Sequence, residues 1–186
     1  MDATKDTVPA CAYVVGDDGL SHWPQTAADA WIGLLQTHRH LTRELDGELE
    51  AQHGLGLSAL ELLGRLAAAQ DSRMRLSALA DEVSLSLSRV SRIIDALQAR
   101  GLVERQPCPG DARAINAWLT PAGLVLVREA QATHFAGVQR RFFDRLSTDE
   151  VATLAHVFNR FVPGAARACS AEGLQASGSP SASHRR

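Results

Sequence analysis

Lysine is almost missing from this chain. Lys5 is the only one in 186 residues, so any surface that meets an anion has to be built from arginine. Arginine brings a planar, bidentate donor set that suits phosphates and guanine edges alike. Long apolar runs are missing too: no stretch approaches the roughly 18 consecutive apolar residues of a membrane span. The start, MDATKDTVPACAYVVGDDG, lacks the basic opening and apolar segment of a secretory signal, which points to the cytoplasm and away from a membrane. Cysteine is scarce and odd in number, three in all, which argues against a disulfide framework. A glycine-rich phosphate loop, a Gly-x-Ser-x-Gly elbow and a His-Glu-x-x-His pair are absent as well. These gaps argue against an enzyme, and no motif calls for a cofactor. His40 and Glu44 lie one helical turn apart, but two ligands do not make a metal site.

What is present is ordinary globular composition, 45% hydrophobic and 22% charged, in a length that suits one domain. A formal net charge of −2 looks wrong for a nucleic-acid binder, yet the local field matters more than the sum. Between Arg89 and Arg113 five arginines (89, 92, 100, 105, 113) face only Asp95, Glu104 and Asp111. Acid gathers elsewhere, in Glu44, Asp46, Glu48 and Glu50.

Residues 1–23, with Pro9, a Gly16-Asp-Asp-Gly19 cluster and no helical period, read as a flexible arm. Residues 166–186 read as a Ser/Ala/Gly-rich tail too polar to order itself. The first helix is expected from about Pro24 to Gln52, with Trp31, Leu34, Leu35, Leu41, Leu45 and Leu49 as its apolar stripe. The next opens with Ser58 and Glu61 as a capping box and Leu57 and Leu62 as a staple, and buries Leu60, Leu63, Leu66 and Ala67. Ser77 is expected to cap a short brace helix through Leu79 and Val83. Ser86 then caps a second helix, in which Val90, Ile93, Ile94 and Leu97 recur at burial spacing and Gly101 is the stop. The face left over carries Leu87, Ser88, Arg89, Ser91 and Arg92, short-chained, hydroxylic and cationic, which suits a helix lying in a DNA major groove.

A hairpin follows: Val103–Gln106, a turn at Pro107–Asp111, and Arg113–Leu119 with Ile115, Ala117 and Leu119 alternating against Asn116 and Trp118. Thr120-Pro121 starts a helix carrying Leu124, Val127, Phe135, Val138 and Phe142. Ser147 and Glu150 form a capping box, with Leu146 and Val151 as staple, for a last helix expected to bury Val151, Leu154, Phe158 and Phe161. The fold class is mainly α with a small β wing: a winged helix-turn-helix at 58–120 between terminal dimerisation helices at 24–52 and 121–165. The stripes on those outer helices exceed what the small central unit can cover, and a symmetric partner is the simplest cover.

This pattern resembles the multiple-antibiotic-resistance regulator (MarR) family over residues ~25–162. Its most specific stretch is SRVSRIIDALQARGLVERQPCPGDARAINAWLTPAG, Ser88 to Gly123, with D-x-L before R-G-L-V, an Asp-x-Arg wing tip and L-T-x-x-G after the wing. The family commonly has Asp-Arg-Arg at that tip, where this chain has Asp111-Ala112-Arg113. The resemblance implies a homodimer gripping pseudo-palindromic duplex DNA, and repression, less often activation, relieved by a small ligand or by oxidation. DNA contacts would come from Ser86, Leu87, Ser88, Arg89, Ser91, Arg92, Arg105, Asp111 and Arg113, the last in the minor groove.

Each of these residues also has a plainer reading. Arg89 and Arg92 can be a solvated helix face, and Arg113 can pair with Asp111 or Asp95 alone or while it enters the groove. Asp95 is expected to face a wing arginine, and Arg73 and Arg75 are either phosphate contacts or ordinary surface. Trp31, Leu34 and His38 lie where the family often leaves a cleft, which would suit a small aromatic or anionic effector, although an aromatic stripe is more often plain core. Cys108, among arginines, is the one cysteine with any redox argument. The rival class is a winged helix that binds another protein and not DNA, which the net acidity favours slightly.

Overall fold

In the computed structural model residues 11–108 and 111–163 are described, without the side chains of Cys108 and residues 111–114. The expected C-terminal tail, Cys169, the tip of the wing turn and the side chains of Asp111 and Arg113 therefore lie outside the described residues. The chain divides into two compact units, one ending at Gln139 and one beginning at Arg140.

Ahead of the helices the expected arm carries a hairpin, β1 (Val14–Val15) against β2 (Ser21–His22). Its turn closes through the Gly16 amide on Leu20 O at 2.8 Å, and Gly19 adopts φ +75°. Two residues per strand are too few to show as an alternation in sequence. Helix α1 (Gln25–His53) begins after Pro24 and stops at Gly54, whose φ of 62° is left-handed, close to the boundaries expected. Only Leu45 and Leu49 of its stripe are buried; Trp31 and Leu34 are 52% and 45% exposed.

Helix α2 (Leu57–Ala68) corrects one expectation. Its cap residue is Gly56, and Ser58 lies inside the helix. The carboxylate of Asp46 on α1 takes the Leu57 amide at 2.7 Å, so an acid eleven residues upstream does the work expected of Ser58. Leu60, Leu62, Leu63 and Leu66 are buried, as a helix apolar over more than one stripe requires. A strand unseen in the sequence follows, β3 (Arg73–Arg75), and then α3 (Leu76–Glu82), which starts one residue before the expected Ser77 cap and without a side-chain cap.

Helix α4 (Leu87–Ala99) has Ser86 as its cap, whose Oγ accepts the Arg89 amide at 3.3 Å. It ends as expected at Gly101, φ +70°, with the Leu102 amide on Leu97 O and the Gly101 amide on Gln98 O. The wing is β4 (Val103–Cys108) and β5 (Asp111–Leu119), with β3 on the far side of β5, giving the antiparallel order β3-β5-β4. Ala117 stands opposite both Met74 and Arg105 and is fully buried, while Trp118 on the other face is 40% exposed.

Helix α5 (Pro121–Arg141) is capped by Thr120, whose Oγ1 accepts the Gly123 amide at 3.0 Å and donates to Gly101 O at 2.8 Å. Gly123 leaves no room for a side chain: a Cβ there would lie 2.2 Å from the carbonyl oxygen of Leu102. The core of the first unit joins Leu49, Leu62, Leu63, Leu66, Leu79, Val90, Ile94, Leu97, Val103, Ala117 and Val127. In the second unit α6 (Thr148–Phe161) opens with the expected capping box, Ser147 and Glu150 bonding reciprocally. Its expected burial fails: no residue of α6 is buried, and Phe158 and Phe161 are 43% and 78% exposed. The same holds for Phe135 on α5, which is 60% exposed.

Candidate nucleic-acid interface

Helices α3 and α4 meet through a tight turn at Val83–Ser86. Ser84 sits there at φ +53°, with the Leu85 amide on Ala80 O and the Ser84 amide on Asp81 O. This is the same pairing that ends α4, with serine in place of the usual glycine. The turn throws α4 across the front of the core: Val90, Ile94 and Leu97 point in, and Leu87, Ser88, Arg89 and Arg92 point out. Leu87, an apolar side chain at the helix start, is 52% exposed.

The two outward arginines are differently held. Arg89 reaches Ser58 Oγ at 3.4 Å, which leans it toward α2. Arg92 has no hydrogen-bond or ionic partner among the described residues. The hydroxyls of Ser86 and Ser88 lie 3.1 Å apart.

Arg105 is not part of this open face. Its Nη2 donates to Ser91 O and Ser91 Oγ, both at 2.9 Å, and pairs with Asp95 Oδ1 at 2.8 Å. The side chain is only 24% exposed, so it bolts the wing strand to α4. Asp95 thus faces a wing arginine, as expected, and Ser91 is half-buried with its hydroxyl already engaged. Arg100 is likewise occupied, donating to His53 O and Gly54 O. The five-arginine cluster therefore reduces to fewer free cations than the sequence suggests. Backbone acceptors carry no charge signature, so composition cannot reveal them.

On β3, Arg73 pairs with Asp71 at 3.4 Å, whereas Arg75 is exposed and unpartnered among the described residues. The strand places Arg75 opposite Asn116 of the wing. Three residues are too short for a periodicity signal, which is why this strand was missed.

Trp31, Leu34 and His38 follow one another at about one turn along α1, and all are exposed. A groove of about 560 Å³ lies elsewhere, with Leu55, Ala59 and Ile93 on its floor and Arg89 and Arg92 at its edge. Among the described residues no helix is long and apolar enough to cross a membrane.

A brace helix, a serine-capped helix with a cationic outer face, and a hairpin bolted to it by an arginine define a winged helix-turn-helix protein of the nucleic-acid-binding type. Residues 53–114 match the profile of the MarR family. AbsC, a MarR family transcriptional regulator from Streptomyces coelicolor, is 31% identical, over 82% of this chain and 97% of that one, with a TM-score of 0.68. Sco3205, a MarR family transcriptional regulator from the same organism solved in complex with DNA, is 26% identical over 80% and 92%, with a TM-score of 0.71. The multiple antibiotic resistance protein MarR of Salmonella typhimurium is 30% identical over 81 residues, 44% of this chain and 56% of that protein, so the match spans little more than half of that relative's length. The chain belongs to the MarR family.

Proposed function

We propose that this protein is a transcriptional regulator that binds pseudo-palindromic operator DNA as a homodimer, represses transcription there, and releases DNA in response to a small effector. The observation that supports it best is the outer face of α4. Over Leu87–Arg92 it offers two arginines, exposed serine and leucine, and no acid, while its inner face is wholly engaged with the core. Arg92 and Arg89 supply the charge, Ser86, Leu87 and Ser88 the close approach, and Asp111 and Arg113 the wing contact, with Arg113 in the adjacent minor groove.

The dimer rests on exposed apolar side chains of the terminal helices: Trp31, Ile32 and Leu34 on α1, Phe135 on α5, and Phe158 and Phe161 on α6. So many large apolar residues facing water in one chain call for a covering partner. The relative solved with DNA supports the same reading. An effector would act by favouring a dimer whose reader spacing mismatches DNA, for which it needs a differential affinity of a few kcal/mol.

The test is a gel-shift titration with the DNA flanking the protein's own coding region, at several salt concentrations. Expected is a discrete complex on an inverted repeat with half-sites about 10 bp apart. Affinity should fall linearly on a log–log salt scale with a slope of roughly −0.9 per phosphate neutralised. A dimer indifferent to DNA at every salt concentration would refute the proposal and favour a protein partner.

A further inference from the structure

We propose that Arg100 is the positioning residue that holds the reader helix at a set angle to α1, and so selects the spacing between operator half-sites. This rests on the homodimeric DNA-binding reading above. Arg100 is the C-terminal cap of α4. Its guanidinium donates from Nη1 to Gly54 O at 2.5 Å and from Nη2 to His53 O at 2.9 Å, across 46 and 47 residues of sequence. Both acceptors are carbonyls at the end of α1, which the helix itself leaves unsatisfied.

A cation carried at the C-terminal end of α4 thus sits on the C-terminal carbonyls of α1. The C-terminus of α1 carries roughly half a negative charge, which favours a cation there. The planar fork of arginine takes two carbonyls at once and fixes a direction as well as a distance; an ammonium cannot do both. Gly54 adopts φ +62°, a left-handed conformation that glycine takes without strain.

The same end of α1 is tied twice more. His53 Nε2 meets Thr133 Oγ1 of α5 at 2.8 Å, and the Asp46 carboxylate holds the first amide of α2. The last two turns of α1 are therefore a hub in which the reader helix is anchored directly through Arg100. In a dimer seamed along the exposed face of α1, the separation of the two reader helices follows from the angle each makes with its own α1. Inserting one base pair between half-sites moves them apart by about a tenth of a turn, so a small loosening of that angle is read as tolerance of wrong spacers.

The experiment selects bound duplexes from a random pool with the wild-type protein. Affinities of wild type, Arg100→Ala and Arg100→Lys are then measured for the selected repeat with its own spacer and with one base pair added or removed. Expected is strong spacer discrimination by wild type, collapse of the ratio to within about twofold of unity for Arg100→Ala, and an intermediate ratio for Arg100→Lys, with half-site sequence preference and salt slope unchanged.

An unchanged spacer ratio in Arg100→Ala overturns the proposal. So does a salt slope shallower by about one with the spacer ratio kept, which would make Arg100 a phosphate contact. If Arg100→Ala does not fold, Arg100→Lys decides, and an unaltered ratio in it is equally fatal. Failure of the wild type to select any duplex would instead refute the DNA-binding reading itself, and this inference with it.

Discussion

Ser84 and Gly101 occupy equivalent places at the ends of α3 and α4, both left-handed, φ +53° and +70°. A β-carbon in that region costs about 1–2 kcal/mol, and glycine avoids the cost. Ser84→Gly should therefore raise stability by about 1 kcal/mol, and Gly101→Ala should lower it by a similar amount, each read from the shift in urea midpoint. On the reader face, Arg92→Ala is expected to weaken preference for the operator over random duplex by about 1–3 kcal/mol if it meets a base edge. If it meets a phosphate, binding weakens uniformly and the salt slope drops by about one. Competition gel shifts separate the two outcomes. His134 is a residue with no evident part in DNA contact: its ring is half-buried beside Phe135, its Nδ1 has no hydrogen-bond partner among the described residues, and burial lowers its pKa. The folded state thus disfavours the charged imidazole. Stability is full above the ordinary imidazole value of about 6.5 and declines as pH falls below it. A pH series of thermal melts should show this decline, and His134→Gln should flatten it.

At the scale of elements, the wing is held by two devices at its ends. Near the reader helix, the Arg105 guanidinium joins Ser91 and Asp95. At the base, Gly123 lets the first turn of α5 press against the Leu102 carbonyl. Gly123→Ala forces a backbone clash that no rotamer can relieve, and overpacking of this kind costs about 1–3 kcal/mol or more. Denaturant unfolding should register it, and a wild-type midpoint would refute the close approach. Asp95→Ala removes the carboxylate partner of a mostly buried guanidinium. DNA affinity is expected to fall while α4 keeps its helicity by circular dichroism, because what is lost is the wing's attachment and not the reader. The L-T-x-x-G stretch gains a physical reason here: threonine caps α5 and bonds the Gly101 carbonyl, and the glycine admits the helix to the wing base.

At the scale of the molecule, the distribution of burial argues for a partner. The centre of the chain is closed, with Leu62, Leu63, Leu66, Leu79, Val90 and Ile94 all fully buried, whereas the terminal helices keep large apolar residues in water. Phe161→Asp should therefore shift sedimentation from dimer to monomer. Retained dimer would place the interface elsewhere. Monomers would still carry an intact reader helix, so operator affinity should drop steeply while weak half-site binding survives.

The parts legible in the sequence are those governed by neighbours in the chain. The periodicity of α4, its Ser86 cap and Gly101 stop, the Ser147–Glu150 box and the alternation of β5 all depend on side chains within a turn or a strand of each other, and all were readable. The cap of α2 was misread because its acceptor, Asp46, comes from another helix. The strand Arg73–Arg75 escaped notice because only pairing with Asn116–Trp118 makes three residues a strand. The roles of the arginines were settled by folding alone: Arg100 found backbone carbonyls 46 and 47 residues away, Arg105 found Ser91 and Asp95, and Arg92 found nothing among the described residues. Local chemistry sets where helices begin, end and turn their apolar sides. Which charges remain free for a ligand depends on long-range approach, and only the folded chain brings those atoms together.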